Sequence, residues 1–123
     1  MMHWRIVFVI AAAFNLAVGY AIMTDPASMG TQPFTGTAQE ALFVKSCGWM
    51  IAVFGVGYAM VAIAPLVNRG IALLGVIGKA AMPVFAYPLY ASGAIPFENY
   101  ALTLGDLAFV FLFAWFLVAT RAR

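Results

Sequence analysis

The sequence predicts an all-α fold: a polytopic membrane protein with four transmembrane helices in an antiparallel bundle and both termini cytoplasmic. Three observations lead there. Of 123 residues, 66% are hydrophobic and 8% charged, whereas a soluble domain carries about a quarter charged residues. So little polar material does not cover a water-facing surface, and lipid must cover most of it. The apolar residues fall into four runs. A spanning helix takes about 20 residues, so four spans and their connections use nearly the whole chain as one domain. Finally, Arg5, Arg69, Arg121 and Arg123 fall on one side if the helices alternate, while the other side has Lys45 with Asp25, Glu40 and Glu98. An excess of Lys and Arg marks the cytoplasmic side, which puts both ends inside.

The first helix covers approximately 4–23, an apolar run from Trp4 to Met23 interrupted by Arg5 and Asn15. A cleaved signal peptide is the alternative reading, with small residues near Ala27. The length of the run and its Asn15 favour a retained helix. A turn-rich stretch follows from Thr24 to Gly36, with Pro26, Gly30 and Pro33. Thr37 and Glu40 form a Thr-x-x-Glu capping box that starts the second helix, approximately 38–65. Its first two turns, with Glu40 and Lys45, belong at the outer interface. Asn68-Arg69-Gly70 makes a tight turn into the third helix (approximately 70–92), and the fourth covers approximately 100–120. Trp4, Trp49, Tyr20, Tyr90 and Tyr100 sit near the span ends, where aromatic belts form.

Lipid offers no hydrophobic drive between helices, so close packing relies on small residues. The first helix has Ala13, Ala17 and Ala21 at four-residue spacing. The second has Gly48, Ala52, Gly55 and Ala59 along one stripe, and the third has Gly70, Gly75 and Gly78. The fourth distributes Phe109, Phe111, Phe113, Trp115 and Phe116 around itself, which predicts a lipid-facing helix or one docked on a partner. Cys47, the single cysteine, excludes an internal disulfide and reads as a small membrane-embedded residue, with an intermolecular disulfide as the alternative.

Four residues lie where polarity is expensive: Asn15, Tyr58, Lys79 and Asp106. At a rise of about 1.5 Å per residue, Lys79 is about 14 Å and Asn15 about 15 Å from the cytoplasmic face, with Tyr58 at a similar level. Asp106 is about 9 Å below the outer face of a core about 30 Å thick. A lone charge at the centre costs about 2.5–3.5 kcal/mol by insertion scales, so Lys79 and Asp106 are expected to offset each other. Their heights differ by about 7 Å. Both side chains lean toward their helix N-termini and so away from each other, which leaves helix tilt or a bridging water to close the gap. The pair reads either as a structural pin that sets helix register or as a functional centre. Pro83 removes the hydrogen bond that the Lys79 carbonyl would accept, and Pro88 repeats the interruption, so a kinked third helix is expected at both.

Other chemistry has no support. His3 is the sole histidine and lies at the terminus, so no metal or haem site is indicated. No Ser or Cys nucleophile comes with a base, and no Gly-rich phosphate loop follows a strand. The net charge of +2 comes without a basic run, which gives no nucleic-acid signal. No catalytic residue and no cofactor can be named.

The run Gly55-Val-Gly-Tyr58, then Gly75-Val-Ile-Gly78-Lys79 with Pro83, Gly93-Ala-Ile-Pro96 and Gly105-Asp106-Leu107, within about 51–118, resembles small bacterial four-helix membrane proteins that are broadly DoxX-like. The resemblance implies a four-helix bundle in a bacterial inner membrane. Some DoxX-like proteins are small subunits of membrane oxidoreductase assemblies. The expectation is therefore an accessory or scaffold subunit of such an assembly, bound to other membrane subunits or to itself. The alternative is a homo-oligomeric proton- or ion-coupled carrier of a small solute that uses the Lys79–Asp106 pair beside a broken helix. An enzyme acting on a lipid or quinone is a third reading, carried by the polar cluster alone.

Overall fold

The computed structural model describes residues 1–26 and 36–121. These form four helices, α1 (Met2–Thr24), α2 (Ala38–Ile63), α3 (Arg69–Ala91) and α4 (Phe97–Ala119). Each is long and apolar enough to cross a membrane. Gly30 and Pro33 of the turn-rich stretch, Ala27 and Arg123 lie outside the described residues.

The helix ends follow from local chemistry. Thr37 caps α2 by accepting a hydrogen bond from the Glu40 amide at 3.1 Å, one of the donors a helix start leaves without a partner. Pro65 stops α2, and its last carbonyls are satisfied by side chains: Asn68 donates to Met60 O at 2.9 Å and to Ala64 O at 3.2 Å. Arg5, from the start of α1, donates to the carbonyls of Ala62 and Ile63. At the end of α4, Arg69 donates to Leu117 O at 2.7 Å and to the Thr120 hydroxyl at 2.9 Å. A guanidinium at a helix C-terminus satisfies orphan carbonyls and complements the negative end of the dipole. Arg5 and Arg69 thus stitch the first helix to the second and the third to the fourth, at the end of the bundle that holds both termini. At the opposite end α3 closes in a Schellman motif. Gly93 takes the left-handed conformation (φ +81°), its amide reaches Tyr90 O, and the Ala94 amide reaches Leu89 O.

The bundle is two antiparallel hairpins, α1 with α2 and α3 with α4, and contact between the hairpins is sparser. The α1–α2 seam is made of small residues. A Cβ on Gly19 would lie 2.6 Å from the Gly48 carbonyl oxygen and 2.7 Å from the Ala52 amide, so the two backbones touch. Gly55 faces Leu16 in the same seam. The matching row on α1 is Ala11, Asn15 and Gly19, all buried, while Ala13 and Ala17 are exposed and Ala21 is half-buried. The expected alanine row has the right spacing on the wrong face. It is two residues away, about 200° of helical rotation. Gly75 is packed as expected, but Gly70 and Gly78 face open space.

The core joins the hairpins through aromatic rings. Phe8 stacks on Phe113 at 4.7 Å between centroids, and Tyr58 lies 5.0 Å from Phe113. Phe113 and Phe116 are fully buried, so α4 is not a lipid-facing helix throughout. Phe111 and Trp115 carry its exposed face. Trp4, expected in an interfacial belt, is buried edge-on against Trp115 and Phe116. Pro83 and Pro88 lie within α3, which continues as one helix through both.

Gly19→Ala should destabilise the bundle by about 1–3 kcal/mol, since its methyl meets backbone that does not move aside. Gly78→Ala should be neutral or stabilising by up to about 1 kcal/mol. Denaturation followed by circular dichroism in detergent micelles checks both, and equal losses would show that the seam is not close-packed.

Candidate functional site

Lys79 is buried on α3, and its ammonium is the centre of the polar group. It donates to Asp106 Oδ1 of α4 at 2.6 Å and to Asn15 Oδ1 of α1 at 2.8 Å. The Asn15 amide in turn donates to the Ile51 carbonyl of α2 at 3.1 Å, using the second lone pair that a helical carbonyl keeps. One hydrogen-bond chain therefore crosses all four helices. Three aromatic faces complete the surroundings, with the nitrogen 5.2 Å from the Phe14 ring, 5.3 Å from Phe109 and 5.6 Å from Tyr58. These are cation–π distances.

The ion pair is direct, so no bridging water is needed to close the expected gap. The start of α4 removes part of that gap. The helix begins at Phe97, one turn before Tyr100, which lowers Asp106 by about 4.5 Å from its expected height. The remaining offset is within reach of the flexible four-carbon stem of lysine. Asn15, Tyr58, Lys79 and Asp106 are brought to one place, with Tyr58 lying under Lys79 rather than hydrogen-bonded into the chain. Gly75 makes room for it, because a Cβ there would come within 2.7 Å of the Tyr58 hydroxyl. Pro83, which removes a partner from the Lys79 carbonyl, lies one turn beyond on α3, and Pro88 lies further along it, outside this cluster.

These four residues line a cavity of about 270 Å³. Its other walls are apolar, among them Val18, Phe54 and Leu102. The exposed members of the lining are Met50, Leu74, Gly78 and Met82. All belong to α2 or α3, so the mouth opens between those two helices. They touch where Gly57 faces Ile71 and Gly75 faces Tyr58, and contact between them is otherwise sparse. The result is an apolar chamber with a charged but internally neutralised floor.

Sequence reasoning missed the aromatic faces and the chamber itself. Phe109 had a signal, because it lies three residues after Asp106 on the same side of α4. The apolar walls had none, since Val, Leu and Met look alike whether they face lipid or line a cavity. Arg5 was read as a marker of orientation and Arg69 as that and as part of a turn, although their side chains hold the helix ends.

Compared with known protein families, curated proteins and solved structures, the chain has no match in any of the three, so the site is read from its own geometry.

Lys79→Met or Asp106→Leu alone should destabilise the bundle by about 3–5 kcal/mol, because each leaves an uncompensated buried charge. The two together should cost far less than the sum, because no charge remains. A double-mutant cycle of unfolding free energies in detergent checks this, and additive losses would mean that the pair does not interact.

Proposed function

We propose that this chain is a multi-pass membrane protein with both termini on the cytoplasmic side and that its bundle is a binding chamber for a small solute, as in a carrier. The membrane assignment is supported by four helices of spanning length whose surfaces expose large apolar side chains almost everywhere. The orientation is supported by Arg5, Arg69 and Arg121 at the end that holds the termini, an arrangement typical of the cytoplasmic side.

One observation carries the chamber: Lys79 and Asp106 form the floor of a cavity instead of being sealed by packing. A pin that only sets helix register is best enclosed on every side. Here the pair borders open space, with a mouth between α2 and α3 that would face lipid. A concave, mainly apolar pocket with a few convergent polar groups is the usual form of a small-molecule site. Ionisable groups at mid-depth mark ligand or ion pathways in membrane bundles.

A second reading, an accessory subunit of a membrane assembly, draws on α4. Little of its apolar span is buried, and Phe111 and Trp115 are exposed, a surface on which a partner helix would dock. The two readings predict different companions. Extracted gently from its own membrane, the protein should appear in native mass spectra alone or self-associated, with a small-molecule adduct lost on Gly78→Phe, which fills the chamber. A stoichiometric foreign polypeptide, with no adduct in either form, would replace the chamber reading with the accessory one.

A further inference from the structure

Size, charge and unused hydrogen-bonding capacity together narrow what the chamber accepts. Its volume of about 270 Å³ is somewhat under twice that of an engineered cavity of about 150 Å³ that holds benzene. One ring with a short substituent fits. The floor carries no net charge, because the Lys79 ammonium and the Asp106 carboxylate are in contact at 2.6 Å. An anion would compete with Asp106 for Lys79 and leave an excess negative charge between apolar walls. A cation would compete with Lys79 for Asp106 and leave an excess positive charge there. The aromatic faces that would otherwise welcome it, those of Phe14, Tyr58 and Phe109, already surround Lys79. A neutral molecule disturbs none of this.

Hydrogen bonding then selects among neutral molecules. An ammonium has three N–H bonds to give, and those of Lys79 reach Asn15 and Asp106. No third partner is present among the described residues, which leaves that N–H for an acceptor in the chamber, and a hydrogen bond from a charged donor is about twice as strong as a neutral one. We infer that the chamber takes a neutral, membrane-soluble molecule about one ring in size whose carbonyl-type acceptor rests on Lys79, and that this molecule arrives from the bilayer between α2 and α3. The inference rests on the binding-chamber reading and adds to it the class of ligand. Met50, Leu74 and Met82 form the rim over which the ring would pass, and all three are flexible or branched apolar side chains suited to contact with lipid and ligand alike.

Four probes that share one ring separate the terms: acetophenone (neutral acceptor), toluene (no polar group), benzoate (anion) and benzyltrimethylammonium (cation). Binding is read by ligand-observed NMR on the full chain in phosphatidylcholine nanodiscs, with empty nanodiscs subtracted for partitioning into lipid. Acetophenone should bind at least tenfold more tightly than toluene, and both ions more weakly than toluene. In Lys79→Met/Asp106→Leu the preference for acetophenone should vanish while toluene stays within threefold. In Gly78→Leu, which extends a side chain into free space, both should be lost. Equal binding of toluene and acetophenone, or tightest binding of either ion, would overturn the ligand class and leave the chamber standing. Binding of none of the four would overturn the chamber as well. The comparison on the unaltered protein decides these outcomes even where the double variant does not fold.

Discussion

A lysine in the middle of an apolar bundle is tolerated only where its ammonium meets a countercharge and hydrogen-bond acceptors, since a bare buried charge moves its neighbours or is neutralised. Lys79 meets both, and the way it does so organises the molecule. Asp106 supplies the countercharge from α4, Asn15 an acceptor from α1, and Asn15 passes the connection on to the Ile51 carbonyl of α2. Removing any member leaves a neighbour without its partner. A buried ion pair is weak evidence of net stability, yet removing one partner alone is costly because the other charge stays uncompensated. Such a pair suits a bundle whose two hairpins touch each other over little area.

The rest of the architecture follows from how each hairpin is built. Between α1 and α2 the drive is close approach, with Gly19 against Gly48 and Ala52 and with Gly55 against Leu16. Such contact gains dispersion energy and does not depend on the solvent. At the ends Arg5 and Arg69 satisfy carbonyls that helix geometry leaves without partners. Across the hairpins the aromatic group of Phe8, Tyr58, Phe113 and Phe116 fills the half nearer the termini. Above it no comparable set of large side chains fills the gap between α2 and α3, and the chamber lies there, with the charged pair at its base. The cavity is thus the counterpart of a core concentrated at one end.

Comparison of expectation and structure shows which signals in a membrane-like sequence are strong. Helix existence and approximate bounds follow from long apolar runs, Pro65 and the Thr37–Glu40 capping box, all local features. The small-residue stripe of α2 was legible because Gly48, Ala52, Gly55 and Ala59 leave that helix one smooth face. The stripe of α1 was misread because alanine is equally at home facing lipid or a neighbour, so Ala13 and Ala17 carried no more information than Ala11. Phe113 and Phe116 were obscured for the same reason. When lipid is as apolar as the core, hydrophobicity does not say which face is inside.

The sequence by itself determined that four apolar helices form and that Asn15, Tyr58, Lys79 and Asp106 are rare polar residues within them that need partners, because hydrophobic runs, breakers and isolated polar groups act through local backbone chemistry and desolvation. Only the tertiary structure decided that Asn15 and Asp106 share one ammonium, that Tyr58 stays beneath it, and that the group borders a cavity. Those outcomes depend on an extra turn at the start of α4, on the rotation of α1 about its axis and on the spread of α2 from α3. Each is set by how whole faces pack, and none is encoded in the spacing of residues along one helix.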